Sequence, residues 1–488
     1  MTPLHLSELA GILRAAGLLS EVRGAGDPSV VGVCQDSRTV RPGDLFLAWQ
    51  GVQADAHGFV AAAAAAGAVA AVVERAVPEA SVPQLVVRDG RLAAALVANA
   101  VLGDPSRELF VVAVTGTNGK TTTALLTRHL LGRLGPAAAL GTLGLMGPDG
   151  SVRPGTEGLT TPGPVQLVRW LRDLADAGVA SVALEASSHA LAQRRLDALR
   201  FDVAVFTNFT QDHLDFHGDL EAYFRAKARL VELLEEDGTL VLNLDDRAWD
   251  RLERRGRTLT FGVDGKADVR ARDVNVGAAG STFRLEAAGE AARVELPLLG
   301  RFNVENALGA AAAALVAGLP LGDVAAGLAG APQVPGRLER VTAEPVPVLI
   351  DFAHTPAALT GVLATLRPLV RGRLIVVFGA GGDRDRTKRR PMAEAVARVA
   401  DLAILTSDNP RTEDPERILD DLEPGLGSVA YERIADRRAA IARALETARP
   451  GDLVLLAGKG HETYQLVGTE KRPFDERVIV RELLKGAA

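Results

Sequence analysis

The sequence predicts an α/β protein of three domains, and three observations carry that prediction. Short apolar runs ending in polar loops recur: "ELFVVAVTG", "SVALEAS", "FDVAVFTN" and "GTLVLN", then "VPVLIDFAH", "RLIVVFGAGGDRD", "DLAILTSDNPR" and "DLVLLAGKGHE". Helical segments separate them, which is the alternation of mostly parallel sheets. Two breaks rich in Gly and Pro, "LGDPSRE" and "PQVPGRLERV", divide the 488 residues into 1–107, 108–333 and 334–488.

The first segment opens with an amphipathic stretch, "LHLSELAGILRAAGLL", that carries Glu8 and has no basic leader before a long apolar run. A secretory signal is therefore not expected. "AAAAAAG" reads as a small-residue helix ahead of the strand "AVAAVVE". The central segment is a phosphate-loop type of parallel sheet. It ends in "ADVRARDVNVGAAGSTFRLEAAGEAARVELPLLG", short β runs meeting at turns, which predicts a small antiparallel annex. The third segment is a second, doubly wound, Rossmann-like unit.

Bulk properties exclude several classes. A net charge of −6 with both signs interleaved leaves no nucleic-acid footprint. No run approaches the roughly 20 apolar residues of a membrane span. The single cysteine, Cys34, excludes an intramolecular disulfide framework and suits a reducing, cytoplasmic setting.

The strongest local signal is "VVAVTGTNGKTTT", Val111–Thr123. An apolar strand turns through Gly116, Thr117, Asn118 and Gly119 into a helix beginning near Lys120. Glycines let backbone N–H groups close on an oxyanion, and the helix N-terminus adds positive potential. Lys120 is placed to reach the β/γ-phosphates, and the Thr121 hydroxyl, followed by Thr122, to take a Mg²⁺ position. The usual spacing asks for glycine at 114, where this chain has Val114, so the loop is a shorter variant.

Two further strand ends carry chemistry. "LEASSHAL" places Glu185 where a carboxylate could hold Mg²⁺ directly or through water; an N-capped helix with a solvated Glu is the alternative. "TNFTQDHLDFHG" crowds Asp212, His213, Asp215 and His217. The i,i+4 histidines would suit zinc on a helix, but no third soft ligand is near and a phosphate loop calls for magnesium. A polar loop capping the next helix is the other reading. Lys227, on that helix, reads by periodicity as a surface lysine. No G-x-S-x-G elbow surrounds Ser187 or Ser188, so serine hydrolase chemistry is set aside.

Three late loops, 379–391, 407–414 and 457–465, should lie side by side at the carboxyl edge of one sheet, where open α/β sheets bind ligands. "GAGGDRD" fails the dinucleotide pattern G-x-G-x-x-G. Its Arg384, with Arg411 of "SDNPRTED", could grip a carboxylate. Asp408 or Glu462 could hold an ammonium, which makes a site for a zwitterionic amino acid. Surface salt bridging is the alternative.

These stretches, in this order, closely resemble the Mur ligase family, over essentially the whole chain: TGTNGKTTT, EASSH, TNFTQDHLDFHG with AK following, GRFNVEN, PGRLE, DFAHTP, GGDRD, DNPR, GKGHE and the early DSRTVRPGDLF. Folylpolyglutamate synthases share the phosphate-loop type but should lack the first domain. The branch resembled adds a diamino acid to UDP-MurNAc-L-Ala-D-Glu. The resemblance implies ATP as co-substrate, an acyl phosphate on the D-glutamate γ-carboxylate, and its capture by an amino group. It implies two Mg²⁺, one at Thr121 and Glu185, a second served by His213 and by Lys227 carboxylated to a carbamate.

For the uridine nucleotide substrate the resemblance points to Ser37, Val52, Gln53, Ala54, Thr160, Thr161, Ser187, Gln193 and Arg195. Leu159 stands where the family often has Asn. Asn303, Asn306, Arg337 and His354 are implied around ATP, the last two on a C-terminal domain that closes. Asp408, Asn409, Pro410, Arg411, Arg384, Gly458 and Glu462 are implied for the amino acid. DNPR accompanies meso-diaminopimelate in this branch, with L-lysine or L-ornithine as alternatives. A cytoplasmic monomer acting on small molecules is expected. A nucleotide-binding module without catalysis would have lost Lys120, Glu185 or Lys227; all three are present.

Overall fold

The computed structural model describes residues 3–51, 54–155, 159–344 and 346–486. Val52 and Gln53 lie outside the described residues. Two compact units are present: one comprises residues 1–272, 285–292 and 305–328, and the other residues 273–284, 293–304 and 329–488.

Among the described residues the first unit contains two large sheets and a short antiparallel pair, Leu4–His5 with Ser29–Val30. The N-terminal one has five strands in the order Leu19–Arg23, Gln84–Val87, Ala70–Val73, Asp44–Ala48, Gly32–Cys34. Four are parallel, and Leu19–Arg23 pairs antiparallel at the edge. The opening amphipathic segment is a helix, Leu6–Ala15, whose Leu6, Leu9, Ala10 and Leu13 are buried at helical spacing. The alanine run is the helix Val60–Ala65, as its position before a strand predicts.

The larger sheet is built around the strand Phe110–Thr115. Its parallel neighbours run in the order Ala137–Gly141, Ser181–Glu185, Phe110–Thr115, Phe201–Phe206, Leu234–Asn243, Arg257–Gly262. Central strands bury both faces, so Val111, Val112, Ala113 and Val114 are all inaccessible, a continuous apolar run rather than an alternation. The strand read as "GTLVLN" starts earlier, at Leu234. Beyond it the chain forms three consecutive strands, Val269–Gly277, Gly280–Ala287 and Glu290–Leu296, joined by two-residue turns. That is the annex expected from the turn spacing.

The second unit carries a six-stranded sheet in the order Glu339–Thr342, Val348–Asp351, Leu453–Ala457, Leu374–Phe378, Leu402–Leu405, Tyr431–Arg433. All but the first are parallel. Alternate residues feed two cores. Leu349, Val376, Phe378, Leu405 and Leu455 pack on one face, and Val348, Ile350, Val377, Ile404 and Leu456 on the other. Helices cover both faces, the doubly wound arrangement. Because Leu453–Ala457, Leu374–Phe378 and Leu402–Leu405 are adjacent and parallel, the three late loops emerge side by side at one edge.

Candidate active site

In the first unit, the strand Phe110–Thr115 passes through residues 116–119 into the helix Lys120–Leu131. Two glycines permit the turn. Gly116 has φ 148° and Gly119 φ 84°, conformations that side chains rarely adopt. A Cβ on Gly116 would run into the Thr207 hydroxyl, and one on Gly119 into the Asn306 side-chain oxygen. The loop is therefore pressed against its neighbours. Thr117 N donates to the Asn208 carbonyl (2.7 Å), Asn118 N to Asn208 Oδ1 (2.9 Å), and the Thr207 hydroxyl to the Asn118 carbonyl (2.7 Å). Gly119→Ala is expected to cost about 1–3 kcal/mol of stability through strain and collision. Thermal unfolding measures that loss, and a variant as stable as wild type would contradict this packing.

Two lysines converge on this loop. Lys120 Nζ donates to the Gly116 and Thr117 carbonyls at 3.0 and 2.8 Å. Lys227 Nζ donates to the same Gly116 carbonyl at 2.6 Å. Lys227 is not the surface lysine its periodicity suggests; it is 1% exposed, with its Nζ 4.4 Å from the centre of the Tyr223 ring. Burial, then the charge of Lys120, holds its amine well below the ordinary lysine pKa. Tyr223 donates to Thr117 Oγ1 (3.2 Å), and so ties the lysine's helix to the loop. Tyr223 sits four residues before Lys227, a helical spacing that could have marked the pair.

Glu185, at the end of its strand, is 2% exposed. Its carboxylate accepts from Thr121 Oγ1 (3.0 Å), Thr142 N (2.8 Å) and Thr142 Oγ1 (3.1 Å). The solvated-Glu reading is thus excluded, and Ser187 does cap the next helix by accepting from Ala190 N. Thr142, which the motifs did not single out, follows the neighbouring strand Ala137–Gly141; strand-end logic would have found it. Carboxylate and hydroxyl oxygens are hard donors, so this cluster suits Mg²⁺ rather than zinc.

His213 lies outside the helix expected for an i,i+4 pair. It has φ 52° and precedes a single turn, Leu214–His217. Its ring packs 4.8 Å from that of His189, and His217 Nε2 is 3.0 Å from Ser188 Oγ. Burial pushes His189 down to about 4 and lowers His213 and His217 as well, so the rings are neutral near pH 7. Among the described residues no group of three or more His, Cys, Asp or Glu side chains forms a metal cage.

Five residues expected at the uridine nucleotide substrate come together. Thr161 Oγ1 donates to the Glu185 carbonyl (2.6 Å) and lies 3.2 Å from Ser187 Oγ. Arg195 donates to the Thr161 carbonyl (2.7 Å) and to Gln193 Oε1 (2.6 Å). Thr160 Oγ1 lies 3.4 Å from Thr142 Oγ1, linking this group to Glu185. Leu159 is exposed. Ser37 lies in the turn after the strand Gly32–Cys34, and Ala54 lies just before the short helix Ala56–Phe59. Asn306 reaches Thr123 Oγ1 at 3.4 Å, and Asn303 stands one turn earlier on the helix Arg301–Val316.

In the second unit, Arg337 stacks over the Phe352 ring at 5.0 Å, and His354 holds the Phe352 carbonyl at 2.7 Å. Asp351 fixes both segments by accepting from Leu338 N (2.7 Å) and Ala353 N (2.8 Å). The late loops interlock. Gly382 N donates to the Asn409 carbonyl, Thr412 N and Oγ1 donate to Asp383, and Arg411 Nη1 donates to the Gly382 carbonyl (2.8 Å). Arg411 forms no ion pair with a carboxylate among the described residues, which removes surface salt bridging as its explanation. Arg384 is exposed.

Asp408 Oδ2 is buried without a partner among the described residues, and the absent Cβ of Gly458 leaves it room. The Asn409 side chain is engaged by its neighbours. Its Nδ2 donates to Glu462 Oε2 (2.8 Å), and its Oδ1 accepts from Lys459 Nζ (3.1 Å) and Leu466 N (2.8 Å). Pro410 is buried in the turn between them.

A phosphate loop with a carboxylate–threonine oxygen cluster, and a separate strand-edge site rich in fixed charge, define the class of enzyme that activates an acid with a nucleotide. Family models agree. The Mur ligase family catalytic domain matches residues 29–101, the Mur ligase middle domain 114–314, and the Mur ligase glutamate ligase domain 336–460. A UDP-N-acetylmuramoyl-L-alanyl-D-glutamate–2,6-diaminopimelate ligase of Geobacter metallireducens is 43% identical, with 97% of each chain covered. One of Thermosynechococcus vestitus is 46% identical over 91% of each chain. A solved structure of a ligase of that name superposes with a TM-score of 0.71 at 36% identity, covering 100% of this chain and 99% of the other. The chain belongs to the Mur ligase family, and it is an ATP-dependent acid–amino-acid ligase.

Proposed function

We propose that this enzyme joins meso-2,6-diaminopimelate to UDP-MurNAc-L-Ala-D-Glu, using ATP, in peptidoglycan precursor synthesis. The observation that carries the reading is the convergence of Lys120 and the buried Lys227 on the Gly116 carbonyl, beside the Thr121–Glu185 cluster. The names of full-length relatives support the choice of substrates.

Lys120 and the N-terminus of its helix hold the β/γ-phosphates, where charge neutralisation matters more than covalent chemistry. Thr121 and Glu185 would hold Mg²⁺, which when bound supplies positive charge against the phosphate oxygens. Lys227, neutral in its buried site, can add CO₂ to give a carbamate anion and release a proton. With His213 it would then present a site for a second Mg²⁺. Thr160, Thr161, Ser187, Gln193 and Arg195 take the peptide end of the nucleotide substrate, with Ser37 and residues 52–54 toward the uridine. Asn303, Asn306, Arg337 and His354 take ATP. The products are amide, ADP and phosphate, and the enzyme acts as a cytoplasmic monomer.

Phosphate release with UDP-MurNAc-L-Ala-D-Glu and a panel of amino acids tests the reading. meso-Diaminopimelate is expected to give the highest kcat/KM; absence of release with any diamino acid would overturn it. L-lysine or L-ornithine as the preferred substrate would move the choice to that alternative. Arg411→Ala should raise the KM for the amino acid by about tenfold or more, through loss of a charge-assisted contact, while ATP affinity changes less than about twofold. Equal loss of both would contradict a carboxylate-binding role.

A further inference from the structure

Lys459 is the only lysine in the second unit's late loops that is wholly buried, at 0% exposure, among the described residues. A buried ammonium must be paired. Its Nζ lies 3.0 Å from Glu462 Oε2 and 3.1 Å from Asn409 Oδ1. The same Glu462 oxygen accepts from Asn409 Nδ2 at 2.8 Å, so the three side chains close a ring across two loops.

That ring is anchored on the adjoining hairpin Tyr464–Val467 and Glu470–Pro473. Leu466 N donates to Asn409 Oδ1 (2.8 Å), Gln465 Nε2 to the Asp408 carbonyl (2.8 Å), and Arg411 N to the Leu466 carbonyl (3.0 Å). Gly468 N donates to the Arg411 carbonyl (2.7 Å), and Arg411 itself has φ 53°. The strained backbone at Arg411 is thus held at both its N–H and its carbonyl by the hairpin, whose Leu466 N also fixes the Asn409 side chain.

We propose that Lys459 is a positioning residue that also sets the charge of the amino-acid site: it fixes Glu462 and Asn409 and cancels the Glu462 charge, so that the site accepts a side chain ending in both an ammonium and a carboxylate. This rests on the reading of these loops as the amino-acid site. With Lys459 in place, Glu462 adds no net negative charge beside Arg411. Without it, the unpaired carboxylate would repel a substrate carboxylate at short range in a poorly solvated loop. A bare ammonium end, as in L-lysine, would suffer no such repulsion.

The test compares kcat/KM for meso-diaminopimelate and L-lysine in the full-length enzyme. Lys459→Met should lower the ratio of meso-diaminopimelate to L-lysine by about tenfold, with ADP affinity within about twofold of wild type. Glu462→Gln leaves Lys459 uncancelled and should move the ratio the opposite way. The double variant, with neither charge, should return toward the wild-type ratio, which a purely structural lysine would not produce. If Lys459→Met does not fold, the Glu462→Gln and double variants still decide the matter. A ratio unchanged in the single variants, or a double variant no closer to wild type than the single variants that fold, overturns the proposal. A wild-type enzyme that uses no diamino acid would instead overturn the underlying reading.

Discussion

Lys227→Met is expected to lower kcat/KM by about 10³ or more, the scale of removing a fixed charge from a water-poor reaction centre. Its measured stability should rise rather than fall. The native chain holds this amine wholly buried, with its pKa pushed down by burial and by Lys120. Between that lowered value and the ordinary value of 10.5, the unfolded chain binds more protons than the folded one. Wild-type stability therefore increases with pH across this window, and the desolvation penalty is largest below it. Methionine cannot protonate, so the variant should lack that slope. Thermal midpoints of both proteins, measured in CO₂-free buffer from about pH 6 to about pH 10, separate the two behaviours. Parallel curves would mean that Lys227 is not buried as an uncharged amine. Activity that depends on added bicarbonate in wild type, and not in the variant, would support the carbamate directly, because only a neutral amine adds CO₂.

The role of this lysine is carried by the family resemblance and not by the periodicity of its helix, and the reason is physical. Periodicity places Lys227 on the helix Leu220–Ala228 but is blind to what folds over that helix. Here the phosphate loop does so, through Tyr223 and Thr117. The loop itself was legible because its chemistry is written in backbone terms: Gly116 and Gly119 occupy φ values that few other residues tolerate. The parallel sheets were legible for a similar reason, since strands buried on both faces read as unbroken apolar runs. The three late loops could be placed on one edge because strand order follows from a small set of connection rules. What those loops do with their polar atoms could not. Asn409 reads as a ligand group, yet its side chain bonds internally among the described residues, to Lys459, Glu462 and Leu466. Composition cannot tell a polar group that faces a substrate from one that holds a neighbour.

Lys120→Ala is expected to cost about 10³-fold or more in kcat/KM, and its effect should not be independent of Lys227. Both side-chain nitrogens donate to the Gly116 carbonyl, at 3.0 and 2.6 Å, so Lys227 stands in the field of the Lys120 charge. Removing Lys120 takes away a charge that helps keep Lys227 neutral. Lys227 should then hold its proton to higher pH, and less of it would be available as free amine. The variant should therefore lose phosphate stabilisation directly and carbamate formation indirectly. Two measurements follow. Nucleotide affinity should fall in Lys120→Ala at every pH, because the contact to the phosphates is gone. The residual turnover should need a higher pH, or more bicarbonate, to reach its plateau than wild type does. In the double variant with Lys227→Met, the losses should combine to less than the product of the two, since one lysine acts partly through the other. Full additivity, together with an unchanged bicarbonate requirement in Lys120→Ala, would show that the two lysines work separately. The shared carbonyl would then be a packing contact and not a coupling between phosphate binding and the second anion of the site.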